Sequence, residues 1–70
     1  MKVKVTRKKQ IIGEAKIYSK EDKSYTEYDI KKQDIIEDIC GRQFKVKTVT
    51  SIYGDKEQWL YSKLNLEKIN

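Results

Sequence analysis

Phe44-Lys45-Val46-Lys47-Thr48-Val49-Thr50-Ser51-Ile52-Tyr53 and Glu57-Gln58-Trp59-Leu60-Tyr61-Ser62-Lys63-Leu64-Asn65-Leu66 flank Gly54-Asp55-Lys56. Both runs alternate with a period of two, and Gly-Asp between such runs is a turn signal, so residues 43–66 read as a β-hairpin. Register follows from asking which pairing brings apolar residues together. A three-residue loop pairs Tyr53 with Glu57, Ile52 with Gln58, Thr50 with Leu60, Thr48 with Ser62, Val46 with Leu64 and Phe44 with Leu66. Phe44, Val46, Ile52, Leu60, Leu64 and Leu66 then share a core face. A two-residue loop would oppose Leu64 to Lys45, so the longer loop is preferred. Residues 67–70 lie beyond the pattern and are expected to fray.

The same register fixes the opposite face, which carries the candidate binding residues Lys45, Lys47, Tyr53, Trp59, Tyr61 and Lys63. Lys47 and Lys63 become direct cross-strand neighbours, a like-charge pairing that an anionic ligand would relieve. Rings interleaved with lysines on an exposed sheet suit single-stranded nucleic acid, with bases on the rings and phosphates on the cations. The competing reading places Trp59 and Tyr61 in the core or in an interface, and leaves the lysines as a plain solvated face.

Working outward, residues 2–8 alternate Val3 and Val5 with Lys2, Lys4 and Thr6 and read as a strand. Residues 11–18 give a second, and residues 25–30 a third, joined by a polar turn over residues 19–24. Residues 34–40 differ. Ile35, Ile36, Ile39 and Cys40 fall at i, i+1, i+4 and i+5, one face of a helix. Asp34 suits an N-cap with Glu37 as its reciprocal partner, and Gly41 suits a left-handed C-cap. A short helix over residues 34–40 is preferred to a strand entering a turn at Gly41. The order is strand, strand, strand, helix, strand, strand. That predicts a mainly β (α+β) domain: a small five-stranded, strongly curved sheet or partly open barrel, OB-like or SH3-like, with one short helix. A sheet with one helix packed on it is the third option.

Asp34-Ile35-Ile36, Gly41, Phe44-Lys45-Val46, Gly54 and Trp59 resemble the strand-turn-strand core of head–tail connectors and related small β-barrel proteins of bacteria and their phages. The resemblance covers about half the chain. It implies a small barrel and a phage or prophage origin, and it carries over no catalytic or binding residue. In those families the segment after the Asp is a strand and an Asp or Asn commonly precedes the Gly, where this chain has Ile39-Cys40-Gly41.

Length and composition set the outer bounds. Seventy residues make a single domain with a small core, whose stability would gain from a partner or a dimer. Charged residues slightly outnumber apolar ones, 39% against 37%. Nine isoleucines, five tyrosines, a Trp and a Phe nevertheless argue against a disordered tail. One cysteine excludes an internal disulfide, and the N-terminus lacks the apolar run of a signal peptide. No stretch is apolar enough to span a bilayer. A cytoplasmic protein without membrane attachment is expected. Absence of histidine removes the commonest general base and metal ligand. Gly13, Gly41 and Gly54 stand too far apart for a phosphate loop. No catalytic residue, cofactor or metal is therefore expected. Cys40 is read as a buried, inert thiol on the helix.

Net charge is +5, and residues 1–10 alone carry that much through the basic flank Lys2, Lys4, Arg7, Lys8 and Lys9. The middle is acidic, with Glu21, Asp22, Glu27, Asp29, Asp34, Glu37 and Asp38. Lysines outnumber arginines 14 to 2, which disfavours bidentate reading of bases or phosphates. Two function classes follow. The preferred one is a non-enzymatic protein-interaction or structural module whose partner is another protein or a second copy, as a homodimer. The alternative is a weak, sequence-tolerant single-stranded nucleic-acid-binding module using the Lys/aromatic face and the basic flank.

Overall fold

The computed structural model describes residues 1–20 and 23–69. Among them the chain forms seven strands and no helix: β1 Lys2–Arg7, β2 Gln10–Lys16, β3 Tyr18–Lys20, β4 Lys23–Thr26, β5 Ile35–Glu37, β6 Gln43–Tyr53 and β7 Trp59–Lys68. All pairings are antiparallel within one sheet ordered β2-β1-β5-β6-β7-β4-β3. The sheet is not closed into a barrel. Its two edge strands, β2 and β3, are separated in sequence by Ile17 alone, so the sheet curls strongly to bring both edges to one place. There the Met1 ammonium donates to the Ile17 carbonyl and the Ile17 N–H donates to the Met1 carbonyl, both at 2.7 Å. The Thr26 hydroxyl reaches across from β4 to the Lys16 carbonyl at 2.8 Å.

The core lies inside this curl. Val3, Val5, Ala15, Ile17, Ile30, Ile36, Val46 and Leu64 are buried, with Phe44, Val49 and Leu66 packed against them. Register explains the set. Val5 stands between Gly13 and Ile36, and Ile36 stands beside Phe44. Most of these side chains are β-branched, which suits a pleated surface. Burying each one is worth roughly 1.5–3 kcal/mol.

Seven strands stand where five were expected, and the partly open barrel and the short helix give way to one open sheet. Strand 11–18 divides at Ile17 into β2 and β3. Residues 21 and 22 of the expected 19–24 turn lie outside the described residues. Strand 25–30 stops at Thr26. The helix over residues 34–40 is replaced by β5 and a five-residue hairpin turn before Gln43. Two β-branched residues and a length of two turns favour a strand once β1 and β6 flank it. Asp34 is no N-cap, because its carboxylate is taken by Arg7 from β1. Ile39 is 91% exposed and Cys40 is exposed at the turn, so the buried thiol is corrected too.

The β6–β7 hairpin exists, but its register differs. Its loop spans residues 54–58, closed by Gly54 N–H donating to the Gln58 carbonyl at 2.8 Å. Glu57 takes a left-handed backbone, φ 60°, within it. Tyr53 pairs with Trp59, Val49 with Leu64 and Val46 with Leu66. Two register shifts, between Val46 and Thr48 and between Ile52 and Tyr53, make Lys47 and Leu60 the extra, unpaired residues. Each bulge flips the side-chain parity beyond it. Phe44, Val46, Leu64 and Leu66 face the core as expected, and Val49 joins them. Ile52 and Leu60 do not. The end of the chain is also paired: Lys68 stands beside Phe44, and Ile69 N–H donates to the Gln43 carbonyl at 2.9 Å. Asn70 lies outside the described residues.

Arg7 pairs with Gln10 across a two-residue β1–β2 turn of Lys8 (φ 51°) and Lys9 (φ 67°). Positive φ at both positions is the type I′ geometry, which prefers Asn-Gly. An L-residue with a Cβ in the left-handed region costs roughly 1–2 kcal/mol.

Candidate functional site

The loop between β4 and β5 is pinned at both ends of a short lysine pair. Ile30 is buried on one side of Lys31-Lys32, and Asp34 is 1% exposed on the other. Gln33 N–H donates to the Val46 carbonyl at 2.8 Å, and Val46 N–H donates back to the Asp34 carbonyl at 2.9 Å. The Asp34 carboxylate accepts from Arg7 Nε and Nη2 and from Lys31 N–H, each at 2.9 Å. Burial pushes this carboxyl up, but the Arg7 hydrogen bonds, the Lys31 N–H and both positive charges outweigh burial and hold it below its ordinary value. Lys31 and Lys32 are thereby held out at the surface.

Lys32 borders three adjoining depressions. The first, of about 400 Å³, runs between this loop and the β6–β7 arm. Val49, Ser51 and Ser62 line it from the two strands, Tyr53 and Trp59 from the arm, and Asp29 to Lys32 from the loop. Trp59 Nε1 donates to the buried Ser62 hydroxyl at 3.0 Å, which fixes the indole. Trp59 as a residue remains 38% exposed and Tyr53 60% exposed. The second, a cleft of about 450 Å³, lies between the β4–β5 loop and Lys8 of the β1–β2 turn, above the Arg7–Asp34 pair. The third is shallower and brings Lys45 and Lys47 toward Lys32, with Glu67 beside them.

The six residues expected on one face are divided by the two bulges. Tyr53 and Trp59 turn to the concave side with Val49 and Ser62. Tyr61 and Lys63 sit on the convex side, where Tyr61 meets the Tyr25 ring edge-on at 5.7 Å and Tyr25 stacks on Tyr18 at 5.2 Å. These three rings tie β3, β4 and β7 together outside the core, so Tyr61 is already engaged. Lys63 stands between Thr50 and Tyr25, not opposite Lys47. Lys45 stands between Ile35 and Glu67.

The basic flank is divided as well. Lys2 pairs with Glu14 at 2.9 Å, and Lys4 lies between Glu14 and Glu37 in register. Arg7 is spent on Asp34. No ion pair among the described residues involves Lys8, Lys9 or Lys32, whereas Lys31 pairs with Asp29 at 3.1 Å. Reading the sequence missed Lys31 and Lys32. Their signal was an adjacent basic pair wedged between an apolar residue and an aspartate, just past the end of an alternating run.

Among the described residues no three potential metal ligands gather, and no helix is long and apolar enough to cross a membrane. Arg42, the cation next to Cys40, is bound to Asp38 at 2.7 Å. Comparison with protein-family models, curated proteins and solved structures finds no match to this chain.

Proposed function

We propose that the protein is a non-enzymatic binding module that takes single-stranded nucleic acid along the groove between the β4–β5 loop and the β6–β7 arm. The observation that carries this reading is the meeting of two exposed rings, Tyr53 and Trp59, with Lys31 and Lys32 in one groove. Bases stack on rings of this kind for roughly 1–3 kcal/mol each, without sequence readout. Lysines neutralise phosphates as point charges, which fits a chain with 14 of them and two arginines. Within the acidic middle, which weighs against a polyanion in the sequence, Asp34 and Asp38 are each neutralised by an arginine.

Trp59 is the sole tryptophan, so its fluorescence reports directly on the groove. Titration with a mixed-sequence single-stranded DNA at low salt should quench it, and the effect should fade steeply as salt rises. An unchanged signal at low salt would remove the nucleic-acid reading. A protein-interaction module, including self-association, is the second reading, and a different observation favours it. Edge strand β2 exposes Ile11 by 70% and Ile12 by 48%, and an uncovered apolar edge invites pairing with another chain. Dimerisation at rising concentration without quenching by DNA would move that reading to first place.

A further inference from the structure

We infer that the cleft between the β1–β2 turn and the β4–β5 loop is a phosphate subsite, with Lys8, Lys31 and Lys32 as its cations. That the phosphates belong to nucleic acid rests on the function proposed above; the chemistry the cleft itself selects is a chain of phosphates.

The first support is the turn. Lys8 and Lys9 both hold left-handed backbones where Asn-Gly would be relaxed. Neither forms an ion pair among the described residues, so folding gains nothing visible from them there. The hairpin needs the left-handed backbone but not lysine in it, so lysines standing where Asn-Gly would be relaxed point to a use elsewhere. The second support is convergence. Lys8 enters the cleft from one wall, Lys31 and Lys32 from the other. Like charges brought together repel unless an anion joins them. Asp34 is the acid in the cleft, and both its oxygens are already engaged, by Arg7 and by the Lys31 N–H. The Asp29 carboxylate meets Lys31 from the aromatic groove, with both side chains mostly in solvent, where such a pair is easily exchanged. The third support is continuity. Lys31 and Lys32 border both this cleft and the groove of Tyr53 and Trp59, so a strand whose bases stack in the groove can extend its phosphates into the cleft.

The test sets stability against binding. K8N/K9G installs the relaxed turn and removes the charge. Its melting temperature should rise, while its affinity for inorganic polyphosphate at low salt should fall several-fold. With single-stranded DNA, the slope of log affinity against log salt should shrink by about 0.7 for each phosphate that the variant no longer neutralises. K32Q, on the opposite wall, should weaken polyphosphate binding without touching the turn. K56Q, in the β6–β7 loop and outside the lining of the cleft, should leave it unchanged. Polyphosphate that fails to bind the unmodified protein at low salt overturns the subsite, as does wild-type binding by both K8N/K9G and K32Q. A fall in the melting temperature of K8N/K9G would mean that the lysines support the turn, which also overturns the inference. Polyphosphate binding that both variants weaken, together with no DNA quenching of Trp59, keeps the subsite and removes only its assignment to nucleic acid.

Discussion

Residues 8–9 and residues 38–42 both reverse the chain between antiparallel strands, yet they differ in where their polar groups go. In the second turn everything converges on Asp38. Its carboxylate accepts from Cys40 N–H, Arg42 N–H and Arg42 Nε, while its own N–H donates to the Arg42 carbonyl. Gly41 supplies the left-handed residue, φ 81°. Burial pushes the Asp38 carboxyl up, but the Arg42 N–H, the guanidinium and the Cys40 N–H more than offset it and hold it below its ordinary value. The first turn has no such centre. Its left-handed positions are lysines, and neither forms an ion pair among the described residues. A turn satisfied from within serves the sheet, and a strained turn with unpaired cations is free to serve a ligand.

The largest expected effect lies beneath the strained turn, where Arg7 ties β1 to the β4–β5 loop. In Asp34→Asn the amide NH2 would face either Arg7 Nε, in place of Oδ1, or both Arg7 Nη2 and Lys31 N–H, in place of Oδ2, donor against donor. Losing a buried ion pair costs about 3–5 kcal/mol. Arg7 keeps 31% of its side chain in solvent, so a loss near the lower end, about 3 kcal/mol, is expected in urea unfolding. A loss under about 1 kcal/mol would class the pair with surface bridges. The same variant has a pH signature. Both Asp34 and Asp38 titrate below their ordinary value of 3.8 when folded. Their ionised forms therefore contribute stability above about pH 4, and it is lost as pH falls through the lowered folded values. Asp34→Asn should flatten that acid limb, leaving the part due to Asp38.

Asp38→Ala tests the self-contained turn and should have the next largest effect. It strands the Cys40 and Arg42 N–H groups and frees the guanidinium, so thermal unfolding should come earlier by about 5–10 °C. Hydrogen exchange should quicken at residues 39–42 first. A melting point equal to that of the unmodified protein would show that water satisfies this turn as well as Asp38 does.

These two aspartates also mark the limit of what the sequence discloses. Strand alternation in residues 2–7 and 43–53 is legible because side-chain burial on a pleat has a period of two. Asp34 and Asp38 are not legible, because a cap and a turn centre use the same chemistry. Only the arrival of Arg7, 27 positions earlier in sequence, decides between them. The bulges at Lys47 and Leu60 are equally silent, since nothing local distinguishes an extra residue from a paired one. They move Trp59 and Tyr53 to one side of the sheet and Tyr61 and Lys63 to the other. The aromatic half of the candidate site was visible in residue types, but its cationic half came from a loop that alternation does not describe.

Gly41 offers the finest probe of the contrast. A Cβ built there meets no atom within 4 Å, so Gly41→Ala adds no clash. What remains is the cost of a left-handed backbone, about 1 kcal/mol. The variant should lose about that much in chemical unfolding and keep the Asp38 hydrogen bonds. Lys9→Gly, the mirror change in the other turn, should gain a similar amount. Opposite signs from two glycine exchanges of one kind would show that backbone strain separates the turns. If Lys9→Gly also destabilised the fold, the left-handed lysine would be part of the turn's support, and the contrast between the two turns would fail.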